Sequence, residues 1–380
     1  MNKNLYEKAQ KLSQKLIILD SHIDIPDRLS LEFEDISKRT EKGDFDYPRA
    51  KKGGLNAAFM AIYTPPDYEE KGGAKTYADS LIDMVEKFAK DWSDKFALAK
   101  SINDIKTQFK KGLISLPMGI ENGAPLEGKL ENLIHFYNRG IRYMTLTHSK
   151  SNHICDSSFD KERKWEGLSP FGEEVVIEMN RLGMIIDISH VSDKTFYQVI
   201  NLTKAPIIAS HSSCRHFTPG WERNMNDDMI QLLATKGGTI QITFGSSFLD
   251  DECRKKLWKA WIDISGYFKE HNIDSSSEEV EAYIKKYKKD NNWTYADVTD
   301  VVAHIDHVVQ LVGIDHVGLG SDFEGVGDSL PNGLKDVSYY PNLIYELLKK
   351  GYSEEDIEKI CSSNFFRIWS EVEKVPKMLV

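Results

Sequence analysis

Eight short, apolar, β-rich runs recur along this chain, each separated from the next by segments of helical periodicity, and this alternation constrains the fold most. The runs are Leu16–Asp24, Leu55–Tyr63, Leu113–Asn122, Arg142–His148, Met184–His190, Pro206–His211, Thr239–Phe244 and His316–Phe323. Several are apolar nearly throughout, as strands covered on both faces are, instead of alternating like half-exposed strands. Helical periodicity fills Tyr77–Asp91, Ile102–Lys110, Leu130–Asn138, Glu173–Leu182, Asp193–Asn201, Asp227–Thr235, Val301–Leu311, Pro341–Lys349 and Glu354–Cys361. Strand–helix alternation means parallel βαβ units, and eight of them predict an α/β fold of the (β/α)8 TIM-barrel type. All 380 residues are then one domain, with 41% hydrophobic residues to fill its core.

Two insertions break the pattern. Glu32–Tyr47 is polar and reads as a loop after the first strand; Asp250–Thr299, at about 250–299, is longer and predicts added helices after the seventh. Both follow strand C-termini, where they can wall a mouth. The run Lys285–Asp290 reads as a solvated helix face.

The strand ends carry the chemistry. In Asp20-Ser21-His22-Ile23-Asp24, residues two apart point to one side, so His22 and Asp24 can grip one ion together. Glu121 ends an apolar run and is costly to bury unpaired; its alternatives are a salt bridge and a carboxylate shared by two cations. His190 and His211 close adjacent runs, each after a serine, and neutral imidazole suits a borderline-soft ion. Asp322 ends the last run, either as a loop cap or as a general acid/base beside a metal. His148 ends the fourth run, where it can stabilise an oxyanion. Arg223 is a candidate carboxylate clamp, with a surface ion pair to Asp227 or Asp228 as the alternative, and Glu324 a candidate outer support. His153 and His216 follow ligand strands and are candidates for the mouth wall; His135, His271, His304, His307 and His316 have no assigned role.

Other classes are excluded or weakened. A net charge of −10 argues against nucleic acid or an anionic membrane as partner. No phosphate-cradling loop or GxSxG elbow occurs, and no run reaches the roughly 18 apolar residues of an integral membrane segment. Cys155, Cys214, Cys253 and Cys361 are too scattered for a thiolate zinc finger and read as structural thiols. With no apolar leader, the chain as it stands is expected in the cytoplasm, or in the periplasm or cell envelope had a signal sequence been removed.

Taken in order, Asp20–Pro26, Gly53–Phe59, Gly119–Gly123, Arg142–Ser149, Ile186–Ser192, Ser210–Arg215, Arg223–Asp228 and Asp306–Gly325 resemble the membrane (renal) dipeptidase family of metal-dependent amidohydrolase-type barrels. The resemblance runs from about residue 16 to 367 and lapses over Asp250–Thr299. It implies a zinc-dependent dipeptidase with two Zn2+ per chain. By the same resemblance His22 and Asp24 would hold one ion, His190 and His211 the other, and Glu121 would bridge them. It also implies Asp322 as proton carrier, His148 as oxyanion contact and Arg223 as binder of the substrate's terminal carboxylate. A hydroxide shared by the metals would attack L-L and some L-D dipeptides, and a homodimer is expected. The alternative is another amidohydrolase, an N-acyl amino acid or lactone hydrolase on the same binuclear site. Asn122 stands where the family commonly has a second glycine, and Lys150 where animal members carry a cysteine, so their disulfide pattern does not carry over. No hydrophobic lipid-anchor tail closes the chain.

Overall fold

The computed structural model describes residues 2–271, 273 and 278–375. Ten strands form one parallel sheet: β1 (Ile18–Ile23), β2 (Leu55–Tyr63), β3 (Phe96–Leu98), β4 (Ile114–Leu116), β5 (Met118–Glu121), β6 (Ile141–Thr145), β7 (Ile185–Asp187), β8 (Ile208–Ser212), β9 (Thr239–Ile242) and β10 (Val317–Leu319). Eight run in the order β1-β2-β5-β6-β7-β8-β9-β10, the sequence of a (β/α)8 barrel. Where β10 meets β1 the pairing is short. Ile23 bridges Phe323 in parallel, Asp24 N–H donates to Phe323 O at 3.0 Å, and Asp322 N–H donates to His22 O at 3.1 Å.

Each apolar run contributes a strand because helices cover one face and barrel interior the other; every residue of β1 and all but the last of β2 are buried. The interior is crowded. A Cβ on Gly320 would fall 1.9 Å from Ser210 O, so no side chain fits at that point of the barrel. Helices start on side-chain caps such as Ser101, Ser169, Ser192 and Asn226, and Gly140 and Gly183 end two of them in the left-handed conformation that side chains disfavour.

Several boundaries differ from the sequence expectation. The run Leu113–Asn122 is two strands, because Pro117 between them lacks an N–H for the ladder. After it, β5 pairs with β2 and β6, while β4 sits beside β3 and touches β2 only at Ala57. The three-residue β3 is too short to show a period. A helix over Lys3–Lys15 also escaped the sequence reading, although its inner face buries Ala9, Leu12 and Ser13. Glu32–Tyr47 is preceded by a helical turn over Ile25–Leu31. The expected helix Glu354–Cys361 stops at Glu358, passes through a π turn and resumes over Asn364–Val372.

The second insertion is helical as expected, over Asp251–His271 and Glu278–Asp290, and a short helix at Ser246–Leu249 leads into it; its residues 272 and 274–277 lie outside the described residues. All four cysteines are buried free thiols, which matches the structural-thiol reading. Among the described residues no helix is long and apolar enough to cross a membrane.

Candidate metal centre and active site

Strand order converts distant residues into neighbours. His22 (β1), Asp24 just beyond it, Glu121 (the end of β5), His148 beyond β6, His190 beyond β7, His211 (β8) and Asp322 beyond β10 all meet at one rim. Glu121 is the hub. Its Oε2 lies 3.6 Å from His22 Nε2, and its Oε1 lies 3.1 Å from His190 Nε2, 3.3 Å from His211 Nε2 and 3.6 Å from His148 Nε2. Asp24 Oδ2 is 3.5 Å from His22 Nε2. His190 Nε2 and His211 Nε2 are 2.8 Å apart.

The hydrogen bonds behind these rings decide their tautomers. Tyr143 OH donates to Ser21 O at 3.0 Å, so it accepts from Nδ1–H of His22 at 2.9 Å and leaves the Nε2 lone pair facing Asp24 and Glu121. Ser210 Oγ donates to Asp187 Oδ2 at 2.6 Å and therefore accepts from His211 Nδ1–H at 2.8 Å, which turns the His211 Nε2 lone pair inward as well. Asp187 is itself anchored by the Ser189 and Ser210 N–H groups at 3.0 and 2.8 Å and by the Thr145 hydroxyl. This is the outer support by which metal-ligating histidines are oriented.

The donor set fits divalent metal. His22 Nε2 is buried with no hydrogen-bond partner among the described residues, and two imidazole Nε2 atoms face one another beside a carboxylate. A cation satisfies all of these lone pairs at once. The protonation states agree. Burial opposes ionisation of Glu121, but the surrounding His22, His148, His190 and His211 rings outweigh it and hold the carboxyl well below its usual range. Burial, with the Arg223 charge and neighbouring imidazoles, pushes His190 and His211 well below theirs, so both rings are neutral at pH 7. Burial disfavours charge on His22, yet Tyr143, Asp24 and Glu121 outweigh it and raise its pKa, so without a metal a proton competes for the same Nε2 lone pair that a cation would take.

The backbone at the rim is unusual. Asn122, His190, Asp322 and Glu324 have φ of 79°, 69°, 64° and 71°, a conformation side chains rarely adopt and one that gathers at functional sites. Asp24 and Asp322 both crowd Gly325, where a Cβ would fall 2.3 Å from Asp24 Oδ2 and 2.4 Å from Asp322 Oδ1. Burial and the adjacent Asp24 charge push the Asp322 carboxyl well above its usual range.

Arg223 is 3% exposed and makes no surface ion pair with Asp227 or Asp228. Its Nη1 donates to Ser212 Oγ at 2.7 Å and its Nη2 to His211 O at 2.7 Å, while Nη2 lies 3.2 Å from His190 Nε2. Burial lowers its pKa to about 10, so it stays charged at neutral pH. A cleft of about 450 Å3 opens over the rim, with walls that include Asp27, Tyr63, Phe159, Phe248, Leu257 and Val326.

Leu257 comes from the second insertion, which therefore does wall the mouth. The first insertion stands one layer back. Its Asp44 and Phe45 N–H groups donate to Glu324 Oε1 at 2.9 and 2.8 Å, and Glu324, paired with Arg28, faces the cleft. His153 is not among the cleft-lining side chains; it binds Glu69. Asp187, Tyr143 and Asp27 were missed from sequence. A carboxylate inside Ile185-Ile186-Asp187-Ile188 was the available signal, since burying one demands partners.

Residues 6–379 match the model of the membrane dipeptidase family, peptidase family M19. The dipeptidase aclJ of Aspergillus oryzae is 33% identical over 346 residues, which is 89% of this chain and 72% of that protein. The probable dipeptidase PvdM of Pseudomonas aeruginosa superposes with a TM-score of 0.82 at 27% identity, covering 99% of this chain and 100% of that one. A Rhodobacter sphaeroides metallopeptidase, bound to a phosphinate mimic of the dipeptide L-Ala-D-Ala, shares the fold (TM-score 0.76, 23% identity, 94% and 99% covered). The chain belongs to the membrane dipeptidase family, and is a dipeptidase-type hydrolase of the M19 metallopeptidases.

Proposed function

We propose that this protein is a binuclear zinc enzyme that hydrolyses the peptide bond of L-L dipeptides and accepts a D residue on the C-terminal side. The observation that carries this reading is the split of the Glu121 carboxylate, with Oε2 toward His22 and Oε1 toward His190 and His211. A carboxylate so placed suits a bridge between two ions, with His22 and Asp24 on one and His190 and His211 on the other. When bound, such ions supply Lewis acidity to the scissile carbonyl and a water nucleophile at a pH of about 7.

The remaining work falls to the chain's own groups. Arg223 holds the substrate's terminal carboxylate; its buried charge is most effective where water is excluded. His148 offers the oxyanion an Nδ1 that is buried and unpartnered among the described residues. Asp322, beside Asp24 and favouring its protonated form, passes a proton to the leaving amine. Guanidinium recognition reads the carboxylate rather than the side chain, which supports a substrate range that includes L-D dipeptides like the one mimicked in the Rhodobacter enzyme. The whole chain serves as one catalytic domain.

The deciding experiment is a panel of L-L and L-D dipeptides beside N-acyl amino acids and lactones, with metal content measured on the same zinc-supplemented sample. About two ions per chain and preferred cleavage of dipeptides are expected. Less than about one ion per chain, or faster turnover of N-acyl amino acids or lactones, would sink the reading.

A further inference from the structure

A second group of metal-ligating side chains lies apart from the rim. His216 in the turn Arg215–Phe217, Asp227 at the start of the helix Asp227–Thr235, and His307 on the helix Val298–Val312 bring one ligand atom each within 4.8 Å of one another. His307 Nε2 is 2.8 Å from Asp227 Oδ1. The His216 and His307 rings stack at 4.4 Å and 24°. That separation falls within the 3.8 to 4.8 Å range of the ring pairs His22–His211, His148–His190 and His190–His211 at the rim. Solvent reaches the group: the Asp227 side chain is 43% exposed and that of His307 18%.

We propose that His216, Asp227 and His307 form a separate site for a divalent transition metal of the zinc class. Two imidazoles and one carboxylate suit Zn2+, Ni2+ or Cu2+, whereas Ca2+ and Mg2+ take oxygen ligands. Three protein donors leave a position for water.

The surroundings hold the donors ready. Cys214 N–H donates to His304 Nδ1 at 3.0 Å, so the other His304 nitrogen donates to Leu249 O, also at 3.0 Å. That pins the backbone before His216 to the helix that bears His307. Arg215 N–H donates to Met225 O at 2.7 Å and Arg215 Nε to Asn224 O at 2.7 Å, fixing the two arms of the loop together, while the guanidinium also grips Asp193 on the neighbouring helix Asp193–Leu202. His216 precedes and Asp227 follows Arg223 in that loop. An ion held by all three would therefore staple both ends of the Arg223 segment to the helix Val298–Val312.

The test compares wild type with His216→Ala and His307→Gln, both already loaded with their rim metals, by equilibrium dialysis against Zn2+ and by thermal melting with and without it. Wild type should bind one more ion per chain than either variant, with affinity at the outer site falling at least about tenfold on loss of a ligand. Added Zn2+ should raise the melting temperature of wild type and leave that of His216→Ala unmoved. In Cu2+-loaded samples, electron paramagnetic resonance should show an extra nitrogen-coordinated signal in wild type alone. Equal ion counts and equal melting responses in wild type and His216→Ala would overturn the proposal. His216 is exposed, so that variant carries the test even if His307→Gln fails to fold.

Discussion

Glu121 Oε1 stands 3.1 Å from His190 Nε2 although β6 separates their strands in the barrel. The contact forms because both residues sit at C-terminal strand ends and lean over the same opening. The surrounding imidazoles hold the carboxyl ionised against the cost of burying its charge.

Glu121→Gln removes that anion while keeping its shape. We expect loss of metal and activity together, with metal affinity down at least about 100-fold. Metal analysis and dipeptide turnover on one preparation check it; a fully active, metal-free variant would refute the bridging role.

Asp187→Asn tests the support beneath His211. The carboxylate accepts the Ser210 hydroxyl at 2.6 Å and so determines which His211 nitrogen carries the proton. Metal affinity should fall about 10- to 100-fold, with excess zinc restoring part of the activity. Unchanged affinity by competitive chelation would show that His211 orients itself without Asp187.

Arg223→Lys keeps a charge and loses the planar fork. For free dipeptides kcat/KM should drop on the order of 100-fold, roughly the 2 to 3 kcal/mol of a charge-assisted pair, while dipeptide amides should change little. Equal losses on acids and amides would remove Arg223 from carboxylate recognition.

Asp44→Asn addresses stability against pH. Burial and the Glu324 charge raise the Asp44 pKa from 3.8 to about 7. The folded state thus binds this proton more tightly than the unfolded chain, so the residue costs stability progressively as pH rises from about 4 to 7. The asparagine variant should melt higher than wild type at pH 8, with the gain shrinking toward pH 4. A pH-independent difference in melting temperature would contradict this.

How far the sequence reached can be seen residue by residue. His22, Glu121, His190 and His211 were visible because a polar residue at the end of an apolar run has few bland explanations. Pro117 within the third run announced a break that the run's apolarity concealed. Asp187 went unnoticed because its partners, Thr145 and Ser210, come from neighbouring strands. The outer trio of His216, Asp227 and His307 spans 92 positions and shares no motif, so proximity alone defines it.

The sequence by itself determined the alternation of strands and helices, and with it a parallel barrel whose strand ends carry imidazoles and carboxylates. Those are local properties, written in hydrophobic period and in which residue ends each run. The tertiary structure alone decided that Glu121 splits its two oxygens, that Tyr143 and Ser210 set the histidine tautomers, and that Arg223 is buried beside the rim instead of paired at the surface. Each depends on contacts between residues far apart in the chain, and no periodicity within one segment encodes which distant group will stand opposite.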